Sequence, residues 1–200
     1  MTRAKFDLAV KAALVWKHLR MPAREAAPEL RGDFDDAYRR ARAVLEPRYS
    51  YARVAAVAAR GRTLELEGGV VFESGDLVKL AAGASAVVAI AATVGDGVDE
   101  LAREYDGRGD TFAMTVADAV GSVAAEELIS LVHGSIKDEA ARAGEAVTRR
   151  ISPGYGDFEL AAQERLLRLA GGFELGISLT ENYMMIPRKS VTAVAAVVAK

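Results

Sequence analysis

Two near-continuous apolar runs, Ala84–Val94 and Val191–Ala199, most limit what this chain can fold into. At about ten residues each they suit buried strands and are too short to cross a bilayer. The chain around them has 200 residues, 51% of them hydrophobic. That length suits one compact domain spanning residues 1–200, and it buries enough apolar surface to fold without disulfides or a structural metal. There is no cysteine. Thiolate catalysis, Cys-ligated zinc, iron–sulfur clusters and disulfide switching are therefore excluded, and a cytoplasmic setting is expected. Lys and Arg number 26 against 28 Asp and Glu, for a net charge of −2, so a nucleic-acid partner is not expected. The first residues, Met1 to Asp7, set the acidic Asp7 close after the basic Arg3 and Lys5 and carry no signal-type apolar region. A soluble protein with no membrane partner is the expectation.

Hydrophobic periodicity predicts a helix over residues 5–20, carried by Phe6, Ala9, Val10, Ala13, Leu14 and Leu19, with Pro22 to stop it. A second helix is predicted from Asp33 as N-cap to Leu45, with Phe34, Ala37, Tyr38, Ala41 and Leu45 on its apolar face. Tyr51–Ala59, Thr63–Leu66 and Val70–Phe72, separated by glycine-containing turns, read as antiparallel strands. Ser74 caps a short helix ending at Leu80, and Ser85–Val94 is an apolar strand. Helices are expected over Asp96–Tyr105, Asp110–Val132, 137–145 and Glu159–Ala170, and an extended segment over Val147–Ser152. Two further strands are expected at 182–186 and 190–199. Strands grouped in hairpins rather than alternating with helices argue for an α+β fold with helices around a mainly antiparallel sheet.

Most of the polar residues carry little chemical signal. His18 and His133 lie far apart on separate helices and make no spaced metal motif. Thr93–Asp99 follows a strand and opens a helix, so its amides could receive an anion, but a strand-to-helix turn with glycines supplying positive φ is the preferred reading. Glu126 and Glu127 are neighbours on a helix, about 100° apart, so one can face a pocket while the other is solvated.

The informative stretch is Arg149-Arg150-Ile151-Ser152-Pro153-Gly154-Tyr155-Gly156-Asp157. It is an extended segment entering a tight Pro-Gly turn. Arg150 offers a planar donor fork for a carboxylate or phosphate, and Tyr155 offers an aromatic face and a hydroxyl. Such a turn can hold a small zwitterion or a nucleoside. A second stretch, Leu179-Thr180-Glu181-Asn182-Tyr183-Met184-Met185-Ile186-Pro187-Arg188-Lys189-Ser190-Val191-Thr192-Ala193, follows about 24 residues on.

In this order and at this separation the two stretches resemble the C-terminal reactivation domain of cobalamin-dependent methionine synthase. Arg150, Gly154 and Tyr155 match its Arg-x-x-x-Gly-Tyr motif, with Ser152 and Pro153 in keeping. Leu179-Thr180-Glu181, Met185-Ile186-Pro187 and Ser190-Val191-Thr192 match its later segments in turn. The resemblance covers residues 148–195 most closely, and the motif-bearing part runs from about 110 to 200.

The resemblance implies an activation-domain-like fold, with helices around a twisted, mainly antiparallel sheet, and binding of S-adenosylmethionine. It implies that Arg150 binds the methionyl carboxylate, that Ser152 and the Pro153-Gly154-Tyr155 turn lie along the nucleoside, and that Ser122 and Glu126 on the long helix are further contacts. It also implies a free-standing reactivation-domain-like protein. Such a protein supports reductive remethylation, in trans, of a cobalamin-dependent methionine synthase or another corrinoid protein that carries the cobalamin. Three departures bear on the ligand: Gly156-Asp157-Phe158-Glu159 replaces a Pro and Cys-Pro-x-His continuation, Ser122 stands where the family has an acidic contact, and the chain stops at Lys200 before a further tyrosine. Each missing polar contact costs on the order of 1–3 kcal/mol. The alternative is therefore a non-catalytic corrinoid-protein partner that kept the fold and lost S-adenosylmethionine binding. An ordinary small-molecule methyltransferase fits poorly, because no Gly-rich loop follows a first strand.

Overall fold

In a computed structural model, residues 2–3, 8–22 and 26–200 are described. The strand β5 (Ala86–Thr93) is buried along its whole length and forms the axis of the molecule. It pairs antiparallel with β2 (Arg48–Arg60) on one side and with β9 (Ser190–Ala199) on the other. The β5–β9 register runs from Ala86 opposite Val197 to Thr93 opposite Ser190, so the two apolar runs that dominate the sequence lie side by side. Beyond them come β3 (Thr63–Leu66) and β4 (Val70–Glu73) at one edge and β6 (Glu145–Ile151) at the other. The full order is β4-β3-β2-β5-β9-β6, every pairing antiparallel, with a short β1 (Thr2–Arg3) also on β2. The fold is α+β.

Side-chain alternation along β5 divides the core between the two faces of the sheet. Val88, Ile90, Ala92 and Val94 pack with helices α1 (Ala12–His18), α2 (Pro28–Ala43), α4 (Gly97–Gly107) and α5 (Thr111–Arg142). Val87, Ala89 and Ala91 face the other way, toward α3 (Gly75–Leu80), α6 (Gln163–Ala170) and the β3–β4 hairpin. Both faces being covered explains why β5 shows no polar alternation. Small residues on β5 and β9 let α5 and α6 approach the sheet closely.

Four departures from the sequence reading bear most on the fold. Helix α1 begins at Ala12 rather than near residue 5, and Phe6 lies outside the described residues. Helix α2 begins at Pro28, with Asp33 inside it, because proline at a first helical position carries a pre-set φ and needs no donor. The helix expected to stop at Val132 runs on as α5 to Arg142, absorbing most of the segment expected at 137–145. Gly134 costs an interior helix only about 1 kcal/mol, and the buried stripe continues through Val132, Ile136 and Ala140. The strand expected at 182–186 is confined to β8 (Met185–Ile186), paired with β7 (Ser178–Leu179). Between them Tyr183 takes a φ of 61°, and the turn is closed by the Thr180 amide donating to the Met184 carbonyl at 2.9 Å.

Candidate functional site

The end of β6 carries Arg150 out of the sheet edge, and a register shift between Val147 and Arg150 turns the strand as it leaves β9. The chain then closes a tight turn. Gly154, at φ 89°, donates its amide to the Phe158 carbonyl at 2.7 Å, and the Ser152 hydroxyl donates to the Thr192 carbonyl at 2.6 Å. Pro153 is buried beneath the turn, while Tyr155 projects from it with 75% of its surface exposed.

The turn is held from outside by a residue the motif does not include. Asp157 accepts hydrogen bonds from the Ser74 hydroxyl at 2.6 Å, the Gly75 amide at 2.8 Å and the Asp76 amide at 3.1 Å, and pairs with Arg62 at 2.8 Å. Ser74 is meanwhile the N-cap of α3, accepting from the Leu77 amide. The Ser74 hydroxyl first, then the two amides and Arg62, hold the Asp157 carboxyl well below the usual aspartate range. Phe158 follows, fully buried edge-on against Phe72 at 5.7 Å. A carboxylate and a phenyl ring thus fix the far end of the turn to the β4–α3 connection.

A cavity of about 830 Å³ opens beside this turn, within the size range of small-molecule sites. Arg150, Ser152, Pro153 and Tyr155 line it from the turn, and Glu126 and His133 line it from α5. The β7–β8 hairpin contributes Tyr183 and Met184, α6 contributes Gln163, and β9 contributes Thr192. Gly154 shapes the turn and is not among the lining residues. The Arg150 guanidinium is engaged by the Glu126 carboxylate, so Glu126 is the acidic residue of its pair that faces the site. His133 is buried, with Nε2 hydrogen-bonded to the Thr148 carbonyl at 2.9 Å. Burial above all, with Lys137 and Arg150 nearby, lowers its pKa and favours the neutral ring.

Ser122 is placed differently from the expectation. It does not line this cavity but a neighbouring one of about 820 Å³, which shares Glu126 and Tyr155 with the first. Its hydroxyl donates to the Asp118 carbonyl at 3.0 Å and accepts from Lys189 Nζ at 2.9 Å, while Lys189 Nζ also reaches the Asp118 carboxylate at 2.7 Å. The Lys189 stem lies against Gly121, where an added Cβ would come within 2.9 Å of it. Ser122 is thus committed to a buried lysine rather than free for a ligand.

The Thr93–Asp99 segment is a structural turn. The Gly95 amide is taken by Thr93 Oγ1 at 3.2 Å, and Gly97 sits where an added Cβ would lie 2.6 Å from the Val44 carbonyl oxygen. His18 lies on the rim of the second cavity. Among the described residues no group of three or more His, Asp or Glu is placed to hold a metal, and no helix is long and apolar enough to cross a membrane.

Two cavity residues and the turn's anchor had no signal of their own in the sequence. Gln163 belongs to an ordinary amphipathic helix and His133 to the apolar side of α5, while the anchor Asp157 belongs to the departure from the motif. Most of the remaining lining residues, among them Arg150, Ser152, Pro153, Tyr155, Tyr183, Met184 and Thr192, stand within the two quoted stretches.

A sheet covered by helices on both faces, with a polar-rimmed cavity beside the turn that ends its edge strand, defines an α+β domain with a candidate small-molecule site. The family model for the activation domain of vitamin B12 dependent methionine synthase matches residues 71–199, and the chain belongs to that family. Among solved structures, it is similar to the crystal structure of the MetH reactivation domain bound to AdoHcy, with a TM-score of 0.71 and 18% identity. That likeness covers 98% of this chain and 77% of the other, and shows the shared fold. No curated protein sequence matches the chain.

Proposed function

We propose that this protein binds S-adenosylmethionine in the cavity beside the Ser152–Asp157 turn. In this reading it acts in the cytoplasm as an accessory to methyl transfer, supporting reductive remethylation of a separate cobalamin-dependent methionine synthase or corrinoid methyltransferase. The observation that carries the reading is the Arg150–Glu126 pair at the cavity wall. A guanidinium that already grips a carboxylate there has the donor fork a ligand carboxylate needs. Glu126, displaced by that carboxylate, remains within the same wall to meet the ligand's ammonium. A methionyl zwitterion therefore exchanges one internal ion pair for two ligand contacts of the same chemistry. Family membership and the AdoHcy carried by the similar MetH domain support the choice of ligand.

Bound S-adenosylmethionine supplies a methyl group on a sulfonium. This chain's residues then have binding and orienting roles: Arg150 and Glu126 hold the amino-acid end, and Pro153 and Tyr155 provide a stiff wall and a ring face for the nucleoside. Tyr183 and Met184 shield it from water. No general acid or base is required of the chain, since the cobalt of the partner carries the reactivity.

A second reading rests on the same pair. With Arg150 satisfied internally and Ser122 held by Lys189, the fold could serve as a corrinoid-protein partner without the nucleotide. Isothermal titration separates the two. The first expects saturable heat with S-adenosylmethionine and at least tenfold weaker binding in Arg150→Ala, as loss of a charge-assisted hydrogen-bond pair costs about 1.5–3 kcal/mol. No heat at millimolar ligand would overturn it and leave the second.

A further inference from the structure

The hairpin wall of the cavity holds a tyrosine in a backbone conformation that suits few residues. Tyr183 takes a φ of 61°, in the left-handed region, where a bulky side chain is an outlier and glycine or asparagine sits at lower cost. Among the described residues the only other non-glycine residue at positive φ is Arg20, just past the end of α1. The turn that imposes this conformation is closed by short-range bonds. The Tyr183 amide donates to the Thr180 carbonyl at 2.9 Å, and the Met184 amide donates to the Thr180 hydroxyl at 3.1 Å. Core packing does not account for a tyrosine there, since the residue keeps 38% of its surface exposed and lines the cavity. Residues held in sparsely populated backbone regions cluster at ligand clamps and active sites.

Charge narrows what the ring is for. Among the described residues lining the cavity Glu126 is the single acid, alongside the cations Lys137, Arg149 and Arg150. Glu126 is engaged by Arg150, and with the ligand bound it turns to the ammonium. No carboxylate of the wall is then left for a second positive centre, and S-adenosylmethionine carries one in its sulfonium. That cation is clad in carbon and has no N–H or O–H to donate, so hydroxyl and carbonyl acceptors answer it poorly. An aromatic face attracts such a cation without carrying a charge itself. Two rings line the cavity, Tyr155 on the turn and Tyr183 on the hairpin, and Tyr155 is already given to the nucleoside.

We propose that Tyr183 is a specificity-determining residue whose ring face receives the sulfonium of bound S-adenosylmethionine. The inference rests on the reading that the cavity takes this ligand, and it gives the hairpin wall a part in recognition beyond excluding water. When the methyl group leaves, the sulfonium becomes a neutral thioether, so the same ring holds S-adenosylhomocysteine less tightly and the site distinguishes donor from product.

Titration of the full chain with S-adenosylmethionine and with S-adenosylhomocysteine tests it, the readout being the ratio of the two affinities. Tyr183→Leu keeps an apolar side chain and removes the ring; it should weaken S-adenosylmethionine about three- to tenfold and S-adenosylhomocysteine less than about twofold. Tyr183→Phe should keep the wild-type ratio, because the attraction resides in the ring rather than the hydroxyl. Tyr183→Asn should lose the ratio as the leucine variant does. In thermal unfolding without ligand it should match or exceed the wild type, since asparagine accepts the left-handed conformation. A lower midpoint in Tyr183→Asn with an unchanged ratio would mark a tyrosine that serves the fold alone, and would overturn the inference. An unchanged ratio in Tyr183→Leu, with the wild type binding normally, would also overturn it and leave the proposed function standing. Failure of the wild type to bind either ligand would overturn both.

Discussion

The two sides of the cavity are built differently. The Ser152–Phe158 side is held at four places: the Ser152 hydroxyl on β9, Pro153 buried beneath it, Asp157 on the Ser74–Asp76 connection, and Phe158 in the core. The Thr180–Met184 side hangs from strands of two residues each, with Tyr183, Met184 and Ile186 exposed. One wall is fixed before a ligand arrives, and the other is tied mainly by hydrogen bonds between Thr180 and Met184. A fixed wall lowers the ordering cost of binding, while a lightly held apolar hairpin can close over what has bound.

This contrast can be broken from the rigid side first. Phe158→Ala removes a fully buried ring from both the turn and the core, and should cost about 3–5 kcal/mol in urea unfolding; a loss under 1 kcal/mol would mean that the turn does not depend on its anchor. Asp157→Asn is expected to be milder and mixed. The folded chain lowers the Asp157 pKa, so its contribution is present above the ordinary aspartate range near 4 and fades as pH falls below it. The stability gap between wild type and variant should therefore narrow progressively as pH falls below about 4. At neutral pH the variant should bind S-adenosylmethionine roughly tenfold more weakly, because a loosened turn must be ordered on binding. Equal affinity would show that the latch is structural alone. On the other wall, Met184→Ala should change stability by no more than about 0.5 kcal/mol, as exposed side chains usually do, yet speed ligand dissociation in stopped-flow measurements. A stability loss as large as that of Phe158→Ala would erase the distinction between the walls.

Legibility in the sequence follows the range of the interactions. Ser74 was readable as a cap because the bond it makes, to the Leu77 amide, closes over three residues. Asp33 misled, since a good capping side chain five residues into a helix looks the same as one at its start, and Pro28 was the better signal. The end expected at Val132 left out Ile136, whose place in the stripe is decided by residues far away in the chain that pack against it.

By itself the sequence determined that two apolar strands would form the centre of an α+β molecule, and that the Arg150–Tyr155 turn would be its chemically distinctive point. Apolar periodicity, proline and glycine act over a few residues, so they are written locally. The tertiary structure alone decided that Asp157 grips a helix start 83 positions away, that Ser122 belongs to Lys189, and that Gln163 and Thr192 meet at one cavity. Burial and hydrogen-bond satisfaction are properties of surroundings, and those exist only once distant segments have packed.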